Sequence, residues 1–101
     1  MSDLPSRAAF AETLNSSYQV FADSGHLVEI VLCELNDGRS GPRHEQFALL
    51  FRGPRDPIVP QGQYRLAHAT LDCFDLFLVP VGRDDRGTYY EAIFNRLIEN
   101  T

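Results

Sequence analysis

The sequence predicts a mostly β fold, a small antiparallel barrel or two-layer meander of about six strands with one short N-terminal helix. Three observations carry this expectation. From Tyr18 onward, apolar and other residues alternate with the period of a half-buried strand. Clusters of Gly, Pro, Asn and Asp interrupt that alternation at hairpin-like spacing. Helical spacing is confined to the segment before it. The 101 residues amount to one domain, 1–101, with the helix near 6–14 and the β region over 17–95. An open sheet of that length would expose too much apolar surface, and closure into a barrel or two packed layers solves this.

Ser6 is suited to cap a helix over RAAFAETL, in which Phe10 and Leu14 stand four apart on one face. Asn15, Ser16 and Ser17 end the pattern. So short a helix is unstable alone and has to dock through Phe10 and Leu14.

Residues 18–22 alternate Tyr18, Val20 and Ala22 against Gln19 and Phe21, and a turn at 23–25 follows. Residues 26–35 (HLVEIVLCEL) put Val28, Ile30 and Leu32 on one face and, by strict alternation, Glu29 and Glu34 on opposite faces. Residues 36–43 (NDGRSGPR) read as a surface loop. In 44–52, Phe47, Leu49 and Phe51 share a face. Residues 53–62 (GPRDPIVPQG) hold three prolines and two glycines and form a stiff connection. Residues 63–67 make a short strand with Tyr64 and Leu66 together.

Residues 71–81 (LDCFDLFLVPV) are the most apolar stretch, with Leu76, Leu78 and Pro80 on one side and Phe77, Val79 and Val81 on the other. Both sides are expected to be covered, one by the barrel interior and the other by the helix, helped by Leu97 and Ile98, with a second copy of the chain or a partner as the alternative cover. Pro80 requires an edge or a bulge. After a turn at 82–87, the last strand over 88–94 sets Tyr90, Ala92 and Phe94 against Tyr89, Glu91 and Ile93. Short connections predict an antiparallel meander. Phe47, Leu49, Phe51, Leu76, Leu78 and Tyr90 are expected to be buried.

The net charge is −5, the pI about 5.0, and all nine basic residues are scattered arginines. That balance offers neither the basic stripe that duplex nucleic acid needs nor the basic helix of an anionic membrane binder. No apolar run approaches a membrane span, and the N-terminus carries no secretory apolar region. The expected setting is the bacterial cytoplasm or a particle assembled inside it. There, Cys33 and Cys73 are expected as buried, reduced thiols.

No residue set amounts to a catalytic, cofactor or metal site. His26, His44 and His68 lack ligand spacing. Asp75 and Glu29, in apolar strands, are expected to face solvent or to pair with an arginine such as Arg52 or Arg65. The turn serines have no triad partners. Asp84, Asp85, Arg86 and Gly87 lack the ligand alternation of a calcium loop and read as a hairpin turn. The candidate interaction loop is the stiff connection, with Arg52, Gly53, Pro54, Arg55, Gln61 and Gly62 as its candidate residues. Pre-organised loops lose little entropy on binding. The bland alternative is that the loop closes a barrel end, with Arg52 paired to a carboxylate.

Residues 47–54 (FALLFRGP), 60–68 (PQGQYRLAH) and 74–82 (FDLFLVPVG), followed by Tyr90, Glu91, Ala92, Phe94 and Asn95, occur in that order. Over about residues 8–95 the chain resembles a bacterial family of roughly 100-residue small β domains of unknown function. The resemblance implies genomic neighbours of the tail-collar or microcystin-dependent fibre type, and no activity. The expected function is a non-catalytic interaction or assembly module, accessory to a phage-tail-like or fibre-like protein. Its partner is another protein or a second copy of the chain, with neither nucleic acid nor membrane. The alternative is a small-ligand-binding barrel lined by Phe47, Phe51, Tyr64, Phe77 and Tyr90, and an enzyme comes third.

Overall fold

The computed structural model describes residues 5–22, 27–38, 44–56 and 58–97. One helix, α1 (Arg7–Glu12), precedes strands β1 (Ser17–Phe21), β2 (Leu27–Asp37), β3 (His44–Gly53), β4 (Gly62–His68), β5 (Asp72–Asp84) and β6 (Gly87–Leu97). The expected turn at 23–25, His26, and Ile98 as a helper of the helix lie outside the described residues. All pairings are antiparallel, in the order β1-β2-β3-β6-β5-β4, and β4 returns to β1 to close a barrel. The order corrects the simple meander. β3 pairs with β6, and β4 with β1. The connection at 54–61 is much longer than a two-residue hairpin turn, so it is free to carry the chain from β3 across the barrel end to β4 on the far side.

Alternation sets the core. Tyr18, Val20, Ile30, Leu32, Phe47, Leu49, Phe51, Leu66, Leu76, Leu78, Tyr90 and Ala92 point inward and are buried. Phe47, Leu49, Phe51, Leu76, Leu78 and Tyr90, the six expected core residues of the strands, are all among the buried ones. Two bulges break the parity. One falls between Leu32 and Glu34, where Cys33 is the extra residue. Glu34 therefore returns to the outer face with Glu29, which corrects the expected opposition, and Leu35 turns inward against the core. The second falls between Pro80 and Gly82 and accommodates the proline, as expected.

Both ends of the barrel are plugged. At one end, Ser6 caps α1 by accepting from the Ala9 N–H at 3.1 Å, and Phe10 is fully buried. Its ring lies 5.3, 5.8 and 6.2 Å from those of Phe94, Phe74 and Phe47. Asn15, left-handed at φ 69°, turns the chain back into β1. Leu14, expected to dock beside Phe10, is instead exposed, because α1 ends at Glu12 and Leu14 no longer follows helical spacing. At the other end, the 54–61 connection inserts Val59, which is buried and donates its N–H to the Tyr90 hydroxyl at 2.8 Å.

The expectation that α1 covers the outer face of β5 is overturned. Packing Phe10 into the barrel mouth leaves no helix for that face. Phe77 is 49% and Val81 52% exposed there, beside Ile93 of β6 at 66%. Among the described residues, no helix is long and apolar enough to cross a membrane.

Candidate functional site

The plug at the Val59 end also shapes the outer surface beside it. In the register, Val31 of β2 opposes Arg52 of β3, and Arg52 opposes Tyr89 of β6. Leu27, Glu29 and Val31 alternate outward along β2, so their side chains flank Arg52. Gly53 is buried at the strand end, where a Cβ would meet Ile30 Cγ2 at 2.9 Å and Tyr90 Cε1 at 3.3 Å. Only glycine lets the chain turn over the barrel rim there. The result is an open groove of about 550 Å³ lined by Leu27, Val28, Glu29, Val31, Arg52, Gly53, Pro54 and Arg86.

The structure thus gathers Arg52, Gly53 and Pro54 into one groove. Arg55 is exposed nearby, its carbonyl accepting from Thr88 Oγ1 at 3.3 Å. Gln61 and Gly62 belong to the opposite end of the connection. Gln61 is an exposed bend residue, and Gly62 opens β4 next to the Tyr64 ring. Leu27, Val31 and Arg86 were not singled out from sequence. Only the β2–β3 pairing and the approach of the β5–β6 turn bring them to Arg52.

The turn is fixed by Asp84, which accepts from the Arg86 N–H at 2.8 Å and from the Tyr89 hydroxyl at 3.0 Å. Those contacts hold its carboxyl below the usual carboxylate range, the Arg86 N–H having the largest effect. The bond to Asp84 pushes the Tyr89 phenol up. The expected pairing of Arg52 with a carboxylate is not among the ion pairs of the described residues. Those pairs are Arg7 with Asp37, Arg65 with Asp75, and Arg83 with Asp56. Asp75, an acid candidate in the sequence, is exposed and bonded to Arg65 at 3.2 Å. Glu29 is exposed on the groove rim.

A second constellation escaped the sequence. His68 of β4 and Ser16 lie far apart in the chain, yet Nε2 and Oγ are 2.8 Å apart. The pair resembles a nucleophile and its base, but the hydrogens run the other way. The Thr70 N–H donates to His68 Nδ1 at 3.1 Å, so the neutral ring carries its proton on Nε2 and donates to Ser16. Ser16 Oγ in turn donates to the Thr13 carbonyl at 2.5 Å. Beside it, the Tyr18 hydroxyl meets Thr13 Oγ1 at 2.5 Å, and Thr13 Oγ1 donates to the Phe10 carbonyl at 2.8 Å. The network fastens the α1 plug to β1 and β4. Ser16→Ala is expected to lower stability by about 1–2 kcal/mol, because the His68 Nε2–H loses its acceptor and the Thr13 carbonyl keeps only the Ser16 N–H at 3.0 Å. Urea unfolding measures it, and an unchanged midpoint would refute the latch.

Burial pushes the Tyr18 phenol above its ordinary value near 10, and the smaller effect of the Thr13 bond opposes this. A raised folded value means that the native state holds the proton more tightly than the unfolded chain. The associated stability is present below about pH 10 and is lost as pH rises through the folded value. The unfolding midpoint is expected to fall above pH 10, and less steeply in Tyr18→Phe.

Cys73 is exposed and Cys33 half-buried, both as free thiols, which corrects the expectation that both are buried. Cys73 shares the outward parity of Asp75 and Phe77, and Cys33 is the bulged residue. Among the described residues, no three His, Cys, Asp or Glu side chains are grouped to hold a metal ion.

A six-stranded antiparallel barrel with plugged ends and an external cationic–apolar groove defines a small β-barrel domain. The chain belongs to the family described as a domain of unknown function, DUF6916, which matches residues 5–94. No curated protein and no solved structure matches the chain significantly.

Proposed function

We propose that this chain is a non-catalytic interaction or assembly module. One observation carries the reading. Side chains from all six strands, together with Phe10 and Val59, occupy the barrel axis, so the surface left for recognition is external. The groove beside Arg52 offers that surface a concave shape together with two arginine side chains. The counterpart is a protein, either another chain or a second copy. Nucleic acid and membrane fit poorly with a net charge of −5. The setting is a bacterial cytoplasm or a particle assembled there, next to a fibre-like or tail-like protein, as the family resemblance implies.

The small-ligand reading has less support. Of its five lining aromatics, Phe47, Phe51 and Tyr90 are buried in the core, Tyr64 packs at its edge and Phe77 faces outward. The wiring of Ser16 and His68 weighs against hydrolytic chemistry at that pair. The test is affinity capture from host cells with the full chain as bait, followed by reconstitution from purified components. A captured protein that re-forms a complex of fixed stoichiometry is expected. Turnover of ester, phosphoester or glycoside reporters by the purified chain, abolished in His68→Ala, would overturn the reading.

A further inference from the structure

The groove's chemistry narrows the ligand, granted that the chain is a binding module. Arg52 is half-buried, and Arg86 approaches from the β5–β6 turn. Neither forms an ion pair among the described residues, although Asp84 lies within electrostatic range of Arg86. Among the lining side chains two arginines stand against one carboxylate, Glu29, while Asp84 and Asp85 adjoin Arg86 on the turn, so Arg52 is the cation without a neighbouring acid in the chain sequence. Leu27, Val31 and Pro54 supply apolar walls. Leu27 is 57% exposed and, with Val31 and Pro54 beside it, makes the apolar side of the groove contiguous.

We propose that this groove binds a peptide segment bearing one carboxylate flanked by apolar side chains. Planar guanidiniums bind carboxylates through paired hydrogen bonds, and a half-buried arginine does so with less competition from water. Gly53 and Pro54 hold the Arg52 end of the site rigid, which limits the entropy lost on binding. Phosphate would satisfy the same guanidiniums. A polyanion, however, would have to approach a chain with 14 acidic and nine basic residues, and it has no use for the apolar walls.

A random dodecapeptide library displayed on phage, panned on the immobilised full chain and on Arg52→Gln/Arg86→Gln, tests the proposal. Both positions face solvent at least in part, and circular dichroism with thermal unfolding checks that the variant is folded. Peptides enriched on the wild type are expected to combine Asp, Glu or a free C-terminal carboxylate with apolar neighbours. Their affinity is expected to fall about tenfold or more in the double variant, as loss of a charge-assisted pair implies. A labelled dT20 oligonucleotide serves as the polyanion control. Enriched peptides that are cationic, or that bind the double variant equally, would overturn the groove assignment while leaving a binding module intact. Tighter binding of dT20 than of any peptide would overturn it too. Failure to enrich any peptide would overturn the peptide class, and the capture experiment would then judge the wider reading separately.

Discussion

Replacing Phe10 with alanine is expected to destabilise the domain by about 3–5 kcal/mol, the range for removing a buried phenylalanine. Phe10 is fully buried and is the one core residue of α1. Its ring touches three other phenylalanines from β3, β5 and β6. These strands need the plug because β5 and β6 pair only from Val79 to Asp84 and from Gly87 to Glu91. Beyond Val79, toward Phe74 and Phe94, the ladder between them is missing, and the Phe10 ring packs against both phenylalanines from inside. The helix cannot compensate, since six residues do not hold together without a docking contact. Urea unfolding followed by tyrosine fluorescence measures the effect. Leu14→Ala, at a 39% exposed position, is the control and should shift stability little. Equal effects of the two variants would mean that Phe10 is not the plug.

The second large effect is expected at Gly87. It sits at φ 155°, and a Cβ there would lie 2.0 Å from the Gly53 carbonyl oxygen. That oxygen is backbone, at the rim where β3 ends and the groove begins, so it cannot rotate away as a side chain would. Gly87→Ala is expected to cost about 3–5 kcal/mol, combining dihedral strain with displacement of the β3 end. It should also disturb Arg52, whose Cγ would lie 3.2 Å from the new Cβ. Gly82 is the comparison, because a Cβ there meets nothing within 4 Å. Gly82→Ala should therefore be nearly neutral. If thermal unfolding ranks the two substitutions equally, the close approach of the β5–β6 turn to β3 is wrong.

Where a rule of period two applied without interruption, the sequence was sufficient. The inward faces of β1, β3 and β6 follow from alternation alone, and Pro80 announced its own bulge. Cys33 gave no such sign. A bulge there costs little locally and is set by the pairing with β3, so strict alternation puts Glu34 on the wrong face. The β3–β6 and β1–β4 pairings were equally hidden, since they join distant segments and are chosen by closure of the sheet rather than by any turn. The outer face of β5 misled for a different reason. Phe77 and Val81 look like core residues in sequence, but a strand's composition does not say whether both of its faces have partners.

The candidate site was half legible. Gly53 and Pro54 marked a stiff connection, and the structure puts a groove at its first residues. The other wall, Leu27, Val31 and Arg86, comes from segments whose proximity depends on register. The contact of Ser16 with His68 depends on the closing β1–β4 pair in the same way.

Hydrogen exchange of the full chain, free and bound to its captured partner, tests most directly whether recognition occurs at the groove. Protection is predicted at residues 27–31, 52–56 and 85–87, with the barrel interior unchanged. Protection concentrated instead at 73–81 and 91–95, the exposed apolar face around Phe77 and Ile93, would contradict it.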